Sequence, residues 1–289
     1  MKKGVSLHIG INNLDTSHYF KNDIESWDGQ LFGCENDAVA MEQLAKAQGF
    51  STHLLLTEAA TRDHVKQLII EIAEQLKEGD FFFFTFSGHG GQVADFSGDE
   101  AENVTPDGKK DKKDETLCLF DGQLIDDELY LLWEKFKKDV RILFLCDSCH
   151  SGTIAKAIGD FIPKPPAGTA WRVVPKNSLS ATYVRHFDFY NSLQSAPNRS
   201  FDIQAHIIQI SACQDKEIAG EKQNVEKPYG YFSNGILQSW DYGDFEDYQA
   251  LFDSVQPFLP KKQHPNLIHF GGSEEAQLAF LKSKPLSIN

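Results

Sequence analysis

Phe81-Phe82-Phe83-Phe84-Thr85-Phe86-Ser87-Gly88-His89-Gly90-Gly91 decides how this chain is read. Its first six residues are an apolar run of strand length with no polar alternation, which fits a strand covered on both faces. The run stops abruptly in Ser, Gly and His, residue types that no core requires. A second run, Val140-Arg141-Ile142-Leu143-Phe144-Leu145-Cys146, ends in the same manner, in Asp147-Ser148-Cys149-His150-Ser151-Gly152. Open parallel sheets bind ligands at the carboxyl ends of their strands. If the two strands are neighbours, His89 and Cys149 meet there although they are far apart in sequence.

The segments around these runs support such a sheet. Residues 4–11 and 52–56 read as strands. The basic-then-apolar start of the chain imitates a secretory leader, but it is short and runs at once into Asn12, Asn13 and Asp15, so it reads as a first strand. The spacing of Ala38, Met41, Leu44 and Ala45 predicts a helix over 35–48, closed by Gly49. Thr61 caps a second helix over 61–77, with Val65, Leu68, Ile69, Ile72 and Leu76 as its stripe. A third is predicted over 126–138. A strand over 206–210 and a helix over 231–240 follow. Strands alternating with helices imply a single α/β domain with a mostly parallel sheet flanked by helices. The acidic stretch 95–115 reads as a solvated loop. The segment 160–200 holds five prolines and little periodicity, and reads as an irregular loop.

Composition narrows the function classes. The chain has 289 residues, 41% of them hydrophobic, enough for a sizeable core. Its formal net charge of -14 argues against a nucleic-acid or anionic-membrane partner. No segment is long and apolar enough to span a membrane, and a cytoplasmic protein is the default. The five cysteines, Cys34, Cys118, Cys146, Cys149 and Cys213, show no zinc-ribbon spacing. Cys146-x-x-Cys149 has redox spacing, but it straddles a strand end and a turn, whereas redox thiols sit at a helix start.

A thiol and an imidazole make a nucleophile and its base. The adjoining glycines let backbone N–H groups approach a substrate carbonyl, and the amides of Gly90 and Cys149 are the natural oxyanion donors. His150 is a rival base, but it adjoins Cys149 and its side chain is directed elsewhere. Asp147, two residues before the nucleophile, suits a cation-binding pocket. Asp37 suits a helix start, where it opposes the dipole.

Ser87-Gly88-His89-Gly90 together with Asp147-Ser148-Cys149-His150-Ser151-Gly152 resembles the paired signature of metacaspases and their bacterial relatives. Gly33-Cys34-Glu35-Asn36-Asp37-Ala38, Leu124-Ile125-Asp126-Asp127-Glu128-Leu129 and Ser211-Ala212-Cys213-Gln214-Asp215 are similar to further motifs of that family, and in this order the matches are specific. The resemblance implies a caspase-like three-layer sandwich on a six-stranded sheet. It divides the domain into a large-subunit-like part (about 1–155), a linker (about 156–205) and a small-subunit-like part (about 206–289). It implies peptide hydrolysis through an acyl-enzyme, by a monomer that needs no cofactor for the chemistry. Caspases cut after Asp and carry Gln-Ala-Cys at the nucleophile; metacaspases cut after Arg or Lys. The residues matching their S1 pocket, which holds the side chain before the cut bond (P1), are Cys34, Asp37, Ser87 and Asp147. Many metacaspases are calcium-activated, and the matching aspartates are Asp114, Asp126 and Asp127. Carboxylates suit that hard cation, but Asp126 and Asp127 equally suit a helix start, and Lys156 departs from the family pattern. The basic residues of the linker, Lys164, Arg172, Lys176, Arg185 and Arg199, suggest a self-inhibitory or self-cleaved loop that presents one of them to S1, and an ordinary surface insertion fits the segment equally well. The alternatives are a relative with another P1 preference and a catalytically silent binding scaffold.

Overall fold

The computed structural model describes residues 2–94, 113–149, 164–193, 201–214, 217–242 and 244–289. Strand β1 (Gly4–Gly10) is buried along its whole length. Helix α1 (Cys34–Ala47), strand β2 (Ser51–Leu56) and helix α2 (Arg62–Gln75) follow, then the phenylalanine strand β3 (Phe81–Ser87). The Thr61 hydroxyl accepts from His64 N at the start of α2, as its capping role requires. Strands β4 (Gly90–Ala94), β5 (Lys113–Leu119) and β6 (Gly122–Ile125) form a small antiparallel sheet beside the site. The end of the acidic stretch is thus a strand rather than a loop; its residues 95–112 lie outside the described residues.

Helix α3 (Asp126–Trp133) stops five residues earlier than its apolar spacing suggests. Lys135 N and Phe136 N reach back to Leu132 and Trp133 carbonyls, tightening the last turn. That turns Phe136 and Val140 into the core at the entry to β7 (Arg141–Asp147). The chain continues through β8 (Thr169–Trp171), α4 (Lys176–Arg185), α5 (Phe187–Leu193), β9 (His206–Ser211), β10 (Gly220–Lys222), α6 (Tyr231–Tyr242), α7 (Tyr248–Val255), β11 (Asn266–Phe270) and α8 (Glu274–Leu281).

The main sheet has six strands in the order β11-β9-β7-β3-β1-β2. All neighbours are parallel except the antiparallel edge pair β9 and β11. Helices cover both faces, giving the α/β three-layer arrangement expected. No helix of the described residues is long and apolar enough to cross a membrane.

Successive phenylalanines of β3 point to opposite faces. Phe82 and Phe84 join one core with Trp133, Phe136 and Phe144, while Phe81 and Phe83 join the other with Phe50 and Phe280. Phe84 is fully buried and stacks on Phe144 with ring centres 4.8 Å apart. Phe84→Ala is therefore expected to destabilise the fold by about 3–5 kcal/mol, read as a lower urea midpoint at unchanged slope.

The segment 160–200 differs from its sequence reading. Its described part holds one strand and two helices, held by contacts far away in sequence. His18 stacks on His186 at 4.0 Å, and His18 Nε2 lies 2.7 Å from the Tyr190 hydroxyl. Arg185 lies over the Phe20 ring, and Phe20 N donates to Thr182. Short helices whose stability comes from such docking leave little local periodicity to read.

Candidate active site

Strands β3 and β7 pair in register, Phe86 with Cys146 and Ser87 with Asp147, so they end level. The two reactive turns emerge side by side at the carboxyl edge of the sheet. The turns touch so closely that a Cβ on Gly90 would sit 1.9 Å from the Cys149 carbonyl oxygen; only glycine fits.

His89 is buried, and its Nε2 lies 2.9 Å from the Gly29 carbonyl oxygen. A carbonyl only accepts, so Nε2 carries the proton and Nδ1 keeps its lone pair. Among the described residues Nδ1 has no hydrogen-bond partner. Burial pulls the imidazole down to about 4; the Gly29 carbonyl and, less strongly, the Val173 backbone oppose this, and the Arg172 charge adds to it. At neutral pH the ring is in its basic form. His8 is a contrasting buried histidine, with both ring nitrogens engaged by Thr85 and Ser6 and no atom left for chemistry. Gly29, which orients His89, carries no local signal in the sequence.

Cys149 is fully buried. Its Sγ accepts from Ala219 N at 2.7 Å and donates to Ala219 O at 3.4 Å. Cys146 is engaged elsewhere, its Sγ 3.0 Å from the Ser148 hydroxyl, and no disulfide joins it to Cys149. His150 and the residues after it to 163, including Lys156, lie outside the described residues.

The four S1 candidates come together around a side chain supplied by the linker. The Arg172 guanidinium is 0% exposed. Its Nη2 lies 2.7 Å from Asp37 Oδ2 and 3.1 Å from Glu221 Oε2, and its Nη1 lies 3.0 Å from Asp147 Oδ2. Nη1 also donates to Ser87 Oγ at 2.7 Å, and that hydroxyl donates onward to Asp37 Oδ2 at 2.7 Å. Cys34 Sγ lies 3.9 Å from Glu221 Oε2. The carboxylates are themselves anchored: Gly230 N donates to Asp37, Ser233 N and Oγ to Asp147, and Phe32 N and Gly33 N to Glu221.

Three carboxylates face one guanidinium, so the pocket holds excess negative charge. Burial raises the Asp37 carboxyl to about 7; Arg172 holds it down and Asp147 pushes it up further. Burial disfavours the Arg172 charge, yet Asp147, Cys34, Asp37 and Glu221 together hold it well above its ordinary value. Glu221 was not among the sequence candidates. It lies on a three-residue strand with nothing local to set it apart from a surface glutamate.

The backbone of Arg172 is held as firmly as its side chain. Its carbonyl oxygen accepts from Gly90 N at 3.1 Å and from Cys149 N at 3.2 Å. These are the two amides that the sequence singled out as oxyanion donors. Its own N–H donates to Ala219 O at 3.0 Å.

The calcium candidates are placed differently. Asp126 and Asp127 form the first turn of α3, where carboxylates oppose the helix dipole, and Asp114 lies in β5 opposite Val93. Among the described residues no group of three or more His, Cys, Asp or Glu side chains fits a metal ion.

The caspase-domain family profile matches residues 3–277. Metacaspase-1 of Mycosarcoma maydis is 31% identical over 92% of this chain and 70% of its own length. Metacaspase-1 of Schizosaccharomyces pombe is 33% identical over 52% of the chain, and that match spans 34% of its length. A protein from Geobacter sulfurreducens, known from a crystal structure, superposes with a TM-score of 0.80 at 36% identity, covering 99% of this chain and 98% of that one. The paired strand-end turns, the six-stranded sheet and these likenesses agree: the chain belongs to the caspase-domain family of cysteine peptidases, with metacaspases among its relatives.

Proposed function

We propose that this protein is an endopeptidase that cuts after Arg, and more slowly after Lys, and that Arg172 is the residue its linker presents to S1. The observation that carries this reading is the pose of Arg172, with its side chain among three carboxylates and its carbonyl between the amides of Gly90 and Cys149. Both Nη atoms find separate oxygens in a fixed fork, which a single ammonium cannot reproduce.

This reading uses Cys149 as nucleophile and His89 as its base. Nδ1 of His89 takes the Cys149 thiol proton, and Sγ, leaving the Ala219 amide, attacks the carbonyl carbon of P1. The oxygen takes up negative charge between Gly90 N and Cys149 N; one such donor is worth ~2.7–4 kcal/mol of barrier. The carbon–nitrogen bond breaks as the imidazolium returns the proton to the departing amine, leaving a thioester. Water, with His89 again as base, hydrolyses it.

The test uses fluorogenic peptides ending in Arg, Lys or Asp, with calcium or a chelator, on wild type and Cys149→Ala. Arg is expected to be cut fastest, with the activity lost in the variant, and the chelator arm tests the calcium reading. Cleavage after Asp would keep the peptidase and remove the pocket assignment. A chain that cuts nothing after its linker has been nicked would instead be a binding scaffold.

A further inference from the structure

The residues before Arg172 lie along the site as a strand. β8 runs antiparallel to β10, with Trp171 opposite Gly220, Ala170 opposite Glu221 and Thr169 opposite Lys222. The bond from Arg172 N to Ala219 O extends that ladder. On the other side of the Arg172–Val173 bond, Val174 N donates to Gly90 O at 3.0 Å. Backbone is therefore bound on both sides of the bond whose carbonyl sits between Gly90 N and Cys149 N. Ladder bonds of this kind bind any sequence; discrimination comes from the side-chain pockets beside them.

Immediately before Arg172 a side chain lies over such a position. The Trp171 ring lies across Gly220: a Cβ built there would stand 2.8 Å from Cε3 and 2.9 Å from Cζ3, besides 2.9 Å from the Ala170 carbonyl oxygen. Trp171 packs against the apolar cluster that includes Ala219 and Phe232, as Ile218 also does. Glycine at 220 leaves a flat floor that a planar ring covers and any side chain would block.

Resting on the reading that this site cuts after Arg, we propose that Gly220 is the floor of an S2 subsite for an aromatic side chain. The substrates are then protein segments carrying an aromatic–Arg pair in extended conformation, and residues 169–172 are the copy of that pattern that the chain carries itself. A hydrophobic subsite discriminates by on the order of 10- to 200-fold for a single methylene.

The experiment compares acetyl-Ala-Trp-Arg and acetyl-Ala-Ala-Arg amides of one fluorogenic amine, on the full chain with Arg172→Ala to vacate S1. The Trp peptide is expected to have at least about tenfold higher kcat/KM, and Gly220→Ala in the same chain to bring the ratio to near one. Equal cleavage of both peptides by the parent would overturn the S2 assignment and leave the Arg reading standing. Cleavage of neither would overturn both. A second measurement keeps Arg172 in place: Trp171→Ala in the full chain is expected to speed labelling of Cys149 by a peptidyl-Arg electrophile by about tenfold, because the internal copy loses its aromatic anchor. An unchanged labelling rate overturns the proposal by itself.

Discussion

Arg172→Ala is expected to raise the rate at which a peptidyl-Arg electrophile labels Cys149 by on the order of 10²–10³. The internal Arg is a tethered ligand, and a tether supplies its ligand at an effective concentration in the millimolar range. An outside substrate binds only the fraction of molecules whose pocket is vacant, so its apparent affinity falls by that fraction. Truncating one partner of a buried, hydrogen-bonded charge set typically costs about 2–5 kcal/mol, which converts to this range of rates. The same substitution leaves Asp37, Asp147 and Glu221 buried with no cation. The variant should therefore unfold at lower urea than wild type. The deficit should shrink as pH falls, because carboxylates crowded without a counter-ion take up protons more readily than in the unfolded chain. Added benzamidine, a guanidinium-like cation, should restore part of the midpoint. Labelling as slow as in wild type would show that Arg172 is not what occludes the thiol.

Asp37→Asn should cost on the order of 10²–10³ in kcat/KM on Arg peptides while leaving reaction with a small uncharged alkylating agent within a few fold. Of the three carboxylates Asp37 makes the shortest contact with the guanidinium, 2.7 Å, and it also receives the Ser87 hydroxyl. Asparagine keeps the size and part of that hydrogen bonding but removes the charge, so the loss falls on P1 binding rather than on the thiol. The pH profile separates this from general damage. Because burial holds Asp37 at about 7, it is increasingly protonated below that pH, and wild-type kcat/KM on Arg peptides should fall as pH drops through it. His89, held near 4, stays neutral over the same range and contributes no such limb. In Asp37→Asn the limb near 7 should vanish. A variant that keeps it would place that titration elsewhere.

The parallel α/β sheet and the level ends of β3 and β7, which bring the turns carrying His89 and Cys149 to one edge, were legible in the sequence. The physical reason is that a strand buried on both faces must be apolar throughout, so Phe81–Phe86 and Val140–Cys146 stand out locally, and so does the sudden change to Gly, Ser, His and Asp where each ends. Ser87 and Asp147 were legible because each closes such a run, whereas Cys34 and Asp37, at the start of α1, were legible only through the resemblance of their motif to the metacaspase one. The tertiary structure alone decided the rest. Nothing local distinguishes Arg172 from Lys164, Lys176 or Arg185; only the ladder with β10 sets the register that carries it into the carboxylates. Glu221 and Gly29 act through a side chain and a carbonyl that long-range packing brings to Arg172 and His89. Helices α4 and α5 draw their stability from docking on residues near 18–23 rather than from their own periodicity. Sequence marks what a residue must be wherever burial is continuous along the chain; it leaves unmarked those residues whose role depends on a partner brought from far along it.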